Sequence, residues 1–328
     1  MLGTLSKLYG AVVARRNAQF DKHRRPIVEV EVPVVSVGNI LAGGTGKTPV
    51  VQMIVRMLQA QGRHPAIVMR GYRRRSKGLL VVHDGISVIA SVSDAGDEAF
   101  LHATSLGVPV VVSSDKVEAA AHAAGTLPCD VIVVDDGYQH RALHRDCDIV
   151  LVDRATINGT LLPRGRLREP LSGLCRADVV LCMGDVQEHE VQSFVAPDAL
   201  VLPCNMRAEI PQSIRDANIT LAPNSKVVAF CGIANPRRFV NGLAKTGFEV
   251  ASSRMFPDHH RYSHAEYRDL CGIARKENAS LVTTEKDLVK IREFIPLTND
   301  DSRLYVVPLK VVVDDNRLAE LLTQRTSQ

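Results

Sequence analysis

The stretch Val34-Val-Ser-Val-Gly-Asn-Ile-Leu-Ala-Gly-Gly-Thr-Gly-Lys-Thr48 constrains the fold more than any other part of this 328-residue chain. Its apolar opening, Val34 to Val37, reads as a buried strand, and a glycine-rich turn follows. Lys47-Thr48 then opens the pattern Val50, Val51, Ile54, Val55, Leu58, whose spacing predicts an amphipathic helix. Strand, glycine-rich loop and helix in that order build a phosphate cradle. Glycines let backbone N–H groups converge on one anion, and the helix N-terminus adds the positive end of its dipole. In such a cradle Leu41, Ala42, Gly43, Gly44, Thr45, Gly46, Lys47 and Thr48 surround a nucleotide triphosphate. Lys47 reaches the β- and γ-phosphates, and the Thr48 hydroxyl ligates Mg²⁺. One position departs from the G-x-x-x-x-G-K-[ST] pattern: Leu41 stands where its first glycine is usual, and Gly43 and Gly44 lie inside the loop instead. A turn that merely joins strand to helix is the plainer reading, and the Gly-Lys-Thr ending with its flanking periodicities argues against it.

Apolar strands alternating with helical patterns continue past the loop. Strands are predicted at 65–70, 79–82, 86–90, 109–112, 130–135, 149–152 and 179–183, with helices starting at Asp94 and Lys116. That alternation signals a parallel sheet covered on both faces. Asp135 and Asp136 close the run Val131-Ile-Val-Val134, the position at a strand's carboxyl end where a second Mg²⁺ anchor sits in phosphate-loop enzymes. Near residue 205 the organisation restarts, with strands at 226–231, 248–252 and 280–283, helices between them, and no phosphate loop. The expected architecture is therefore an α/β, P-loop NTPase-type parallel-sheet domain over 1–205 and a smaller α/β domain over 206–328. Whether the segment 305–322 returns to the first sheet is left open by the sequence.

Charge narrows the partners. The net charge of +4 is mild, and aromatics make up 4% of the chain, too few stacking platforms for a nucleic-acid reader. The basic residues are concentrated, with Lys7, Arg15, Arg16, Lys22, Arg24 and Arg25 in the first segment and Arg70, Arg73, Arg74, Arg75 and Lys77 in a second group. In the first segment Leu2, Leu5, Leu8, Tyr9, Val12 and Val13 share a helical face, which suits either a helix lying in an anionic membrane surface or one packed on the domain. Seven scattered cysteines without C-x-x-C spacing read as reduced thiols. No apolar run approaches the roughly 18 residues of a spanning helix.

Three further clusters carry polar chemistry: Gly96-Asp97-Glu98 at a helix start, Leu162-Pro-Arg-Gly-Arg-Leu-Arg-Glu-Pro170, and Asp258-His259-His260 with His264. Taken singly, the first fits an ordinary dipole-complementing helix start, the second a solvated loop, and the third an acid/base or orienting histidine rather than zinc. Together with the phosphate loop, Arg70-Gly-Tyr72, Asp135-Asp-Gly-Tyr-Gln-His140, Phe230-Cys-Gly-Ile-Ala-Asn-Pro-Arg-Arg-Phe239, Phe256-Pro-Asp-His-His260 and Thr283-Thr-Glu-Lys-Asp287, they span nearly the whole chain. In that order the set resembles the tetraacyldisaccharide 4'-kinase family, which phosphorylates the lipid A precursor disaccharide.

The resemblance implies a kinase, peripheral on the cytoplasmic face of the bacterial inner membrane. Its substrates would be ATP with Mg²⁺ and an acylated glucosamine disaccharide monophosphate. It implies Asp97 as the base that takes the sugar hydroxyl proton, oriented by His259, with Lys47 on the phosphates. Thr48, Glu98, Asp135 and Asp136 would serve the metal, and Tyr72, Arg168 and Glu169 would line the nucleotide or lipid side. Two positions depart from the family pattern or leave a choice. Arg73, Arg74 and Arg75 follow the Arg-Gly-Tyr motif where small residues are usual, and of the two adjacent histidines His259 is chosen because it directly follows Asp258. The alternative function is a membrane-tethered P-loop ATPase switch, a class whose loop carries a signature lysine where this chain has Ala42.

Overall fold

The computed structural model describes residues 2–44, 46–297, 303–313 and 316–327. It divides the chain into two units, Met1–Met206 with Val311–Gln328, and Arg207–Lys310. Eight strands come from the first pass of the chain: β1 (Val34–Asn39), β2 (Pro65–Met69), β3 (Leu80–His83), β4 (Val110–Val112), β5 (Val131–Asp135), β6 (Cys147–Val152), β7 (Val179–Met183) and β8 (Leu200–Ala208). The second unit adds β9 (Gln212–Ser213), β10 (Lys226–Cys231), β11 (Glu249–Met255), β12 (Ser280–Thr284) and β13 (Leu304–Val307), after which β14 (Leu309–Val312) rejoins the first sheet. The first sheet runs β14-β8-β7-β6-β1-β5-β2-β4-β3. From β8 to β4 its pairings are parallel, and β3 closes one edge antiparallel to β4.

Parallel strands buried on both faces need apolar residues at odd and even positions alike. Val35, Val37, Val131, Val133, Ile149 and Leu151 face one core, and Val34, Ile132, Val134, Val150 and Val152 face the other side. Onto the first face pack helix α2 (Lys47–Ala60), through Val50, Val51, Ile54, Val55 and Leu58, and the closing helix α10 (Arg317–Thr326), through Leu318 and Leu322. Each such side chain contributes about 1.5–3 kcal/mol on burial, which makes this face the mechanical base of the loop that precedes α2.

The amino-terminal helix α1 (Leu2–Asp21) divides the face that the sequence groups together. Ser6, Val13 and Phe20, seven residues apart, are buried, and the Tyr9 hydroxyl donates to the Arg168 carbonyl at 2.9 Å. Leu2, Leu5, Leu8 and Val12 are left outside, Leu8 at 63% exposure. The helix is thus packed on the domain along one stripe and presents a second apolar stripe outward. No helix among the described residues is long and apolar enough to cross a membrane.

Three sequence expectations change. Residues 86–90 form no strand; a single bridge, His83 to Val88, closes a turn there. The helix expected from Asp94 is two, α3 (Val92–Ala95) and α4 (Asp97–Leu106), broken at Gly96, whose φ of 86° lies outside helical space. The run 305–313 is split at Pro308, which lacks the N–H a continuous strand needs, so β13 ends the second sheet and β14 enters the first.

Helices α5 (Lys116–Thr126) and α6 (Arg154–Ile157) complete the first unit. The second has its own sheet, β11-β10-β12-β13-β9, and helices α7 (Pro236–Lys245), α8 (His264–Lys276) and α9 (Glu285–Ile291). Phe230, Tyr262, Tyr267, Leu270 and Leu281 form part of its core. A capping box between Ser263 and Glu266 starts α8.

Candidate active site

Register brings the phosphate loop and the aspartate pair to one edge. Strands β1 and β5 pair in parallel with Val37 opposite Asp135, so the turn after β1 and the turn after β5 leave the sheet side by side. Gly43 has φ 111°, and Gly46, φ 83°, caps α2; both conformations need glycine. Thr48 is 4% exposed at the start of α2. Thr45, expected in the same cradle, lies outside the described residues.

The loop is braced by the segment after α6. Ala42 N–H donates to the Arg166 carbonyl at 2.7 Å, and the Arg166 guanidinium donates back to the Ala42 carbonyl at 2.9 and 2.6 Å. A Cβ on Gly43 would stand 2.0 Å from Arg166 Nη2, so a side chain there would displace the guanidinium from the Ala42 carbonyl. Leu41 pairs with Leu167 in an antiparallel bridge and is 2% exposed among Ile40, Tyr138 and Leu167. The departure from the usual glycine therefore has a physical cause: this side chain anchors the loop in an apolar cluster.

At the mouth of the loop Asp136 is surrounded by cations. Lys47 Nζ lies 3.3 Å from its carboxylate, and Arg168 Nη1 donates to both its oxygens at 3.0 and 2.9 Å. Lys116, on α5, donates to the carbonyls of Asp135, at 2.8 Å, and of Asp136. Burial alone would raise the Asp136 carboxyl pKa, but Lys47, Arg168 and Lys116 together hold it below the usual carboxylate range. Burial pushes the Lys116 ammonium down to about 8 against the opposing pull of Asp136 and Asp135. Lys116 escapes sequence reading because it looks like an ordinary surface lysine in the first turn of an alanine-rich helix.

Asp135 has different neighbours. Its carboxylate is buried, with His102 Nε2 of α4 at 3.6 Å, and its Oδ1 finds no hydrogen-bond partner among the described residues.

Asp97 and Glu98 are half-buried in the first turn of α4, where the helix dipole favours carboxylates. The Arg70-Gly-Tyr turn seats directly on this helix start. A Cβ on Gly96 would come 2.8 Å from the Tyr72 carbonyl oxygen, and Arg75 N–H donates to the Ser93 carbonyl at 2.8 Å. Tyr72 is 58% exposed with the Arg73 guanidinium 5.4 Å from its ring centre. Beside it lies a basic hollow of about 430 Å³ lined by Arg70, Tyr72, Arg73, Arg74 and Lys77 among others.

Arg168 and Glu169, adjacent in sequence, go to different places. Arg168 reaches Asp136, whereas Glu169 is fully buried and accepts from Arg176 at 2.7 Å, Gln139 at 2.8 Å and Asn17 of α1 at 3.2 Å. It ties the amino-terminal helix to the loop segment. His259 belongs to the second unit. Its φ is 61°, its N–H donates to the Gly232 carbonyl at 3.2 Å, and Asp258 lies 3.9 Å from its Nε2. His260 is committed elsewhere: its ring stacks on Phe256 at 4.5 Å between centres, and its Nε2 lies 3.1 Å from Glu266.

A largely parallel sheet, a glycine-capped loop entering α2 and two aspartates at the end of the neighbouring strand define a P-loop NTPase-type α/β protein with a second, smaller α/β unit. Comparison with known proteins narrows the class. A sequence model of the family described as tetraacyldisaccharide-1-P 4'-kinase matches residues 1–327. Tetraacyldisaccharide 4'-kinase of Halothermothrix orenii is 34% identical over 342 residues, covering 95% of this chain and 88% of that protein. The protein of the same name from Anaeromyxobacter sp. strain Fw109-5 is 38% identical over 331 residues, covering 96% and 88%. The crystal structure of the "apo" form of LpxK from Aquifex aeolicus in complex with ATP superposes with a TM-score of 0.80 at 31% identity, covering 98% of both chains. The chain belongs to the tetraacyldisaccharide-1-P 4'-kinase family.

Proposed function

We propose that this chain transfers the γ-phosphoryl group of ATP to the 4'-hydroxyl of a tetraacyldisaccharide 1-phosphate, a step of lipid A synthesis. The observation that carries this reading is the cation group at the loop mouth, Lys47 and Arg168 converging on Asp136 beside the α2 N-terminus. That arrangement suits a triphosphate, because phosphoryl transfer depends chiefly on in-line placement and neutralised oxygen charge. Asp97 is assigned as the base for the sugar hydroxyl, a contribution of about 10²–10⁴-fold. His259 is assigned as its orienting partner, and Tyr72 and the basic hollow beside it as acceptor contacts.

Hard oxygen donors at the same edge fit Mg²⁺: the Thr48 hydroxyl and the buried Asp135 Oδ1, which has no hydrogen-bond partner among the described residues. Thr48, Asp135, Asp136 and Glu98 are the residues assigned to hold the ion, which when bound neutralises β- and γ-phosphate charge. The outward stripe of Leu2, Leu5, Leu8 and Val12, with Arg15 and Arg16 following, suits attachment to an anionic membrane surface, here the cytoplasmic face of the inner membrane.

Incubation with γ-labelled ATP and Mg²⁺ tests the assignment in two arms. Label should move to glycolipid when the acylated disaccharide monophosphate is present. Release of labelled phosphate with anionic vesicles alone, and none on glycolipid, would make the chain an ATPase switch instead.

A further inference from the structure

The second unit holds a buried carboxylate that the proposed chemistry does not use. Asp287, in the first turn of α9, is fully buried and carries four hydrogen bonds from three directions. Gly232 N–H, just past β10, donates to Oδ2 at 3.0 Å, and the Thr284 hydroxyl donates to the same oxygen at 2.7 Å. The Tyr262 hydroxyl donates to Oδ1 at 3.0 Å, and Lys290 Nζ donates to Oδ1 at 2.8 Å. One side chain thus joins the end of β10, the start of α9 and the far end of the 256–262 loop.

That loop is the one that carries His259. The Gly232 peptide is gripped at both ends: its N–H by Asp287, and its carbonyl by the His259 N–H at 3.2 Å and by Lys290 Nζ at 3.3 Å. The junction is tight for any side chain at Gly232. A Cβ on Gly232 would lie 3.1 Å from both His260 Cβ and the Pro257 carbonyl oxygen, and 3.3 Å from Asp287 Oδ1. At the other end of the loop Tyr262 packs edge-on against Phe256 and Phe230. His259 itself sits at φ 61°, a region that a non-glycine residue keeps only when its surroundings over-determine it. The surroundings that do so here meet at Asp287.

The geometry points to Asp287 as a positioning residue that holds the His259 backbone in its left-handed conformation and so sets the direction of the imidazole. The four conditions agree: the carboxylate is buried, one of its bonds reaches Tyr262 at the far end of the loop, another holds Gly232, whose carbonyl accepts from His259 N–H, and the neighbouring His260 is engaged by Phe256 and Glu266. The consequence for turnover rests on the orienting role assigned to His259 above.

The test compares Asp287→Asn, His259→Ala and the double variant of the full chain in the glycolipid kinase assay. It also follows the His259 imidazole by NMR of histidine-labelled protein. Asp287→Asn is expected to lower kcat about 10- to 100-fold with KM for ATP little changed, to shift the His259 ring signals, and to add nothing once His259 is alanine. Additive losses in the double variant, or unmoved His259 signals, overturn the proposal. Should His259→Ala leave kcat unaltered, the orienting role of His259 fails, and the ring signals alone decide whether Asp287 positions it. Tyr262→Phe removes a single hydroxyl from the same carboxylate and supplies the signal shift if Asp287→Asn does not fold.

Discussion

Asp97 and Lys47 are assigned different work, and single substitutions separate them. Asp97→Ala should lower kcat by about 10²-fold or more while leaving the ATP dissociation constant nearly unchanged. Lys47→Ala should lower turnover and weaken ATP binding together, as read by calorimetry. Equal loss of ATP affinity in both would contradict the division. Leu41 makes a second point at this scale. Writing the generic motif's glycine into the loop, Leu41→Gly, removes a fully packed anchor and should destabilise the chain by about 2–5 kcal/mol in urea unfolding. A neutral result would mean that the Leu41–Leu167 contact does not brace the loop. Lys116 gives a pH signature. Its folded pKa is lowered to about 8 from its ordinary 10.5, so between those values the unfolded chain holds more protons and this group's contribution to stability rises with pH. The difference in unfolding free energy between the natural chain and Lys116→Met should therefore grow in favour of the natural chain from pH 8 to pH 10. A flat difference would place the ammonium in a wetter site.

Among the elements, α1 is where the proposed membrane attachment is tested. Ser6, Val13 and Phe20 hold it down, and Leu5, Leu8 and Val12 point away on the adjacent face. Changing these three to serine should abolish co-flotation with anionic vesicles while shifting stability by no more than about 0.5 kcal/mol, because exposed positions carry little folding energy. Retained flotation would move the membrane surface elsewhere. The same helix shows what a sequence can and cannot disclose. Its apolar residues were legible as one face, but the tethers of Ser6 to the Leu161 carbonyl and of Tyr9 to the Arg168 carbonyl, 155 and 159 positions away, leave no local pattern. The sheet was legible because both faces of each parallel strand are buried, leaving continuous apolar runs such as Val131 to Val134. Strand β8, Leu200–Ala208, was not, because its second half is largely polar and exposed. The loop motif announced itself through glycine and lysine spacing, whereas its brace, Arg166 to Ala42, spans 124 positions and leaves no local pattern.

At the scale of the whole molecule, the chain builds most of one sheet, makes a second α/β unit and comes back. Pro308 marks the crossing, β14 joins β8, and Leu318 and Leu322 of α10 enter the core beneath α2. The carboxyl end thus supports the face on which the phosphate loop rests. Family membership extends over residues 1–327, both units included. The central claim is that the cradle ahead of Lys47 and the carboxylate of Asp97 serve one reaction on a sugar alcohol. Its most direct test is the position of the new phosphate in the product, read by mass spectrometry and ³¹P–¹H correlation NMR after incubation with ATP, Mg²⁺ and the tetraacyldisaccharide 1-phosphate. The account predicts a second phosphate on the 4'-oxygen, formed by the natural chain and lost in Asp97→Ala. A product bearing phosphate at any other oxygen, or an acceptor recovered unchanged while ATP is consumed, would contradict it.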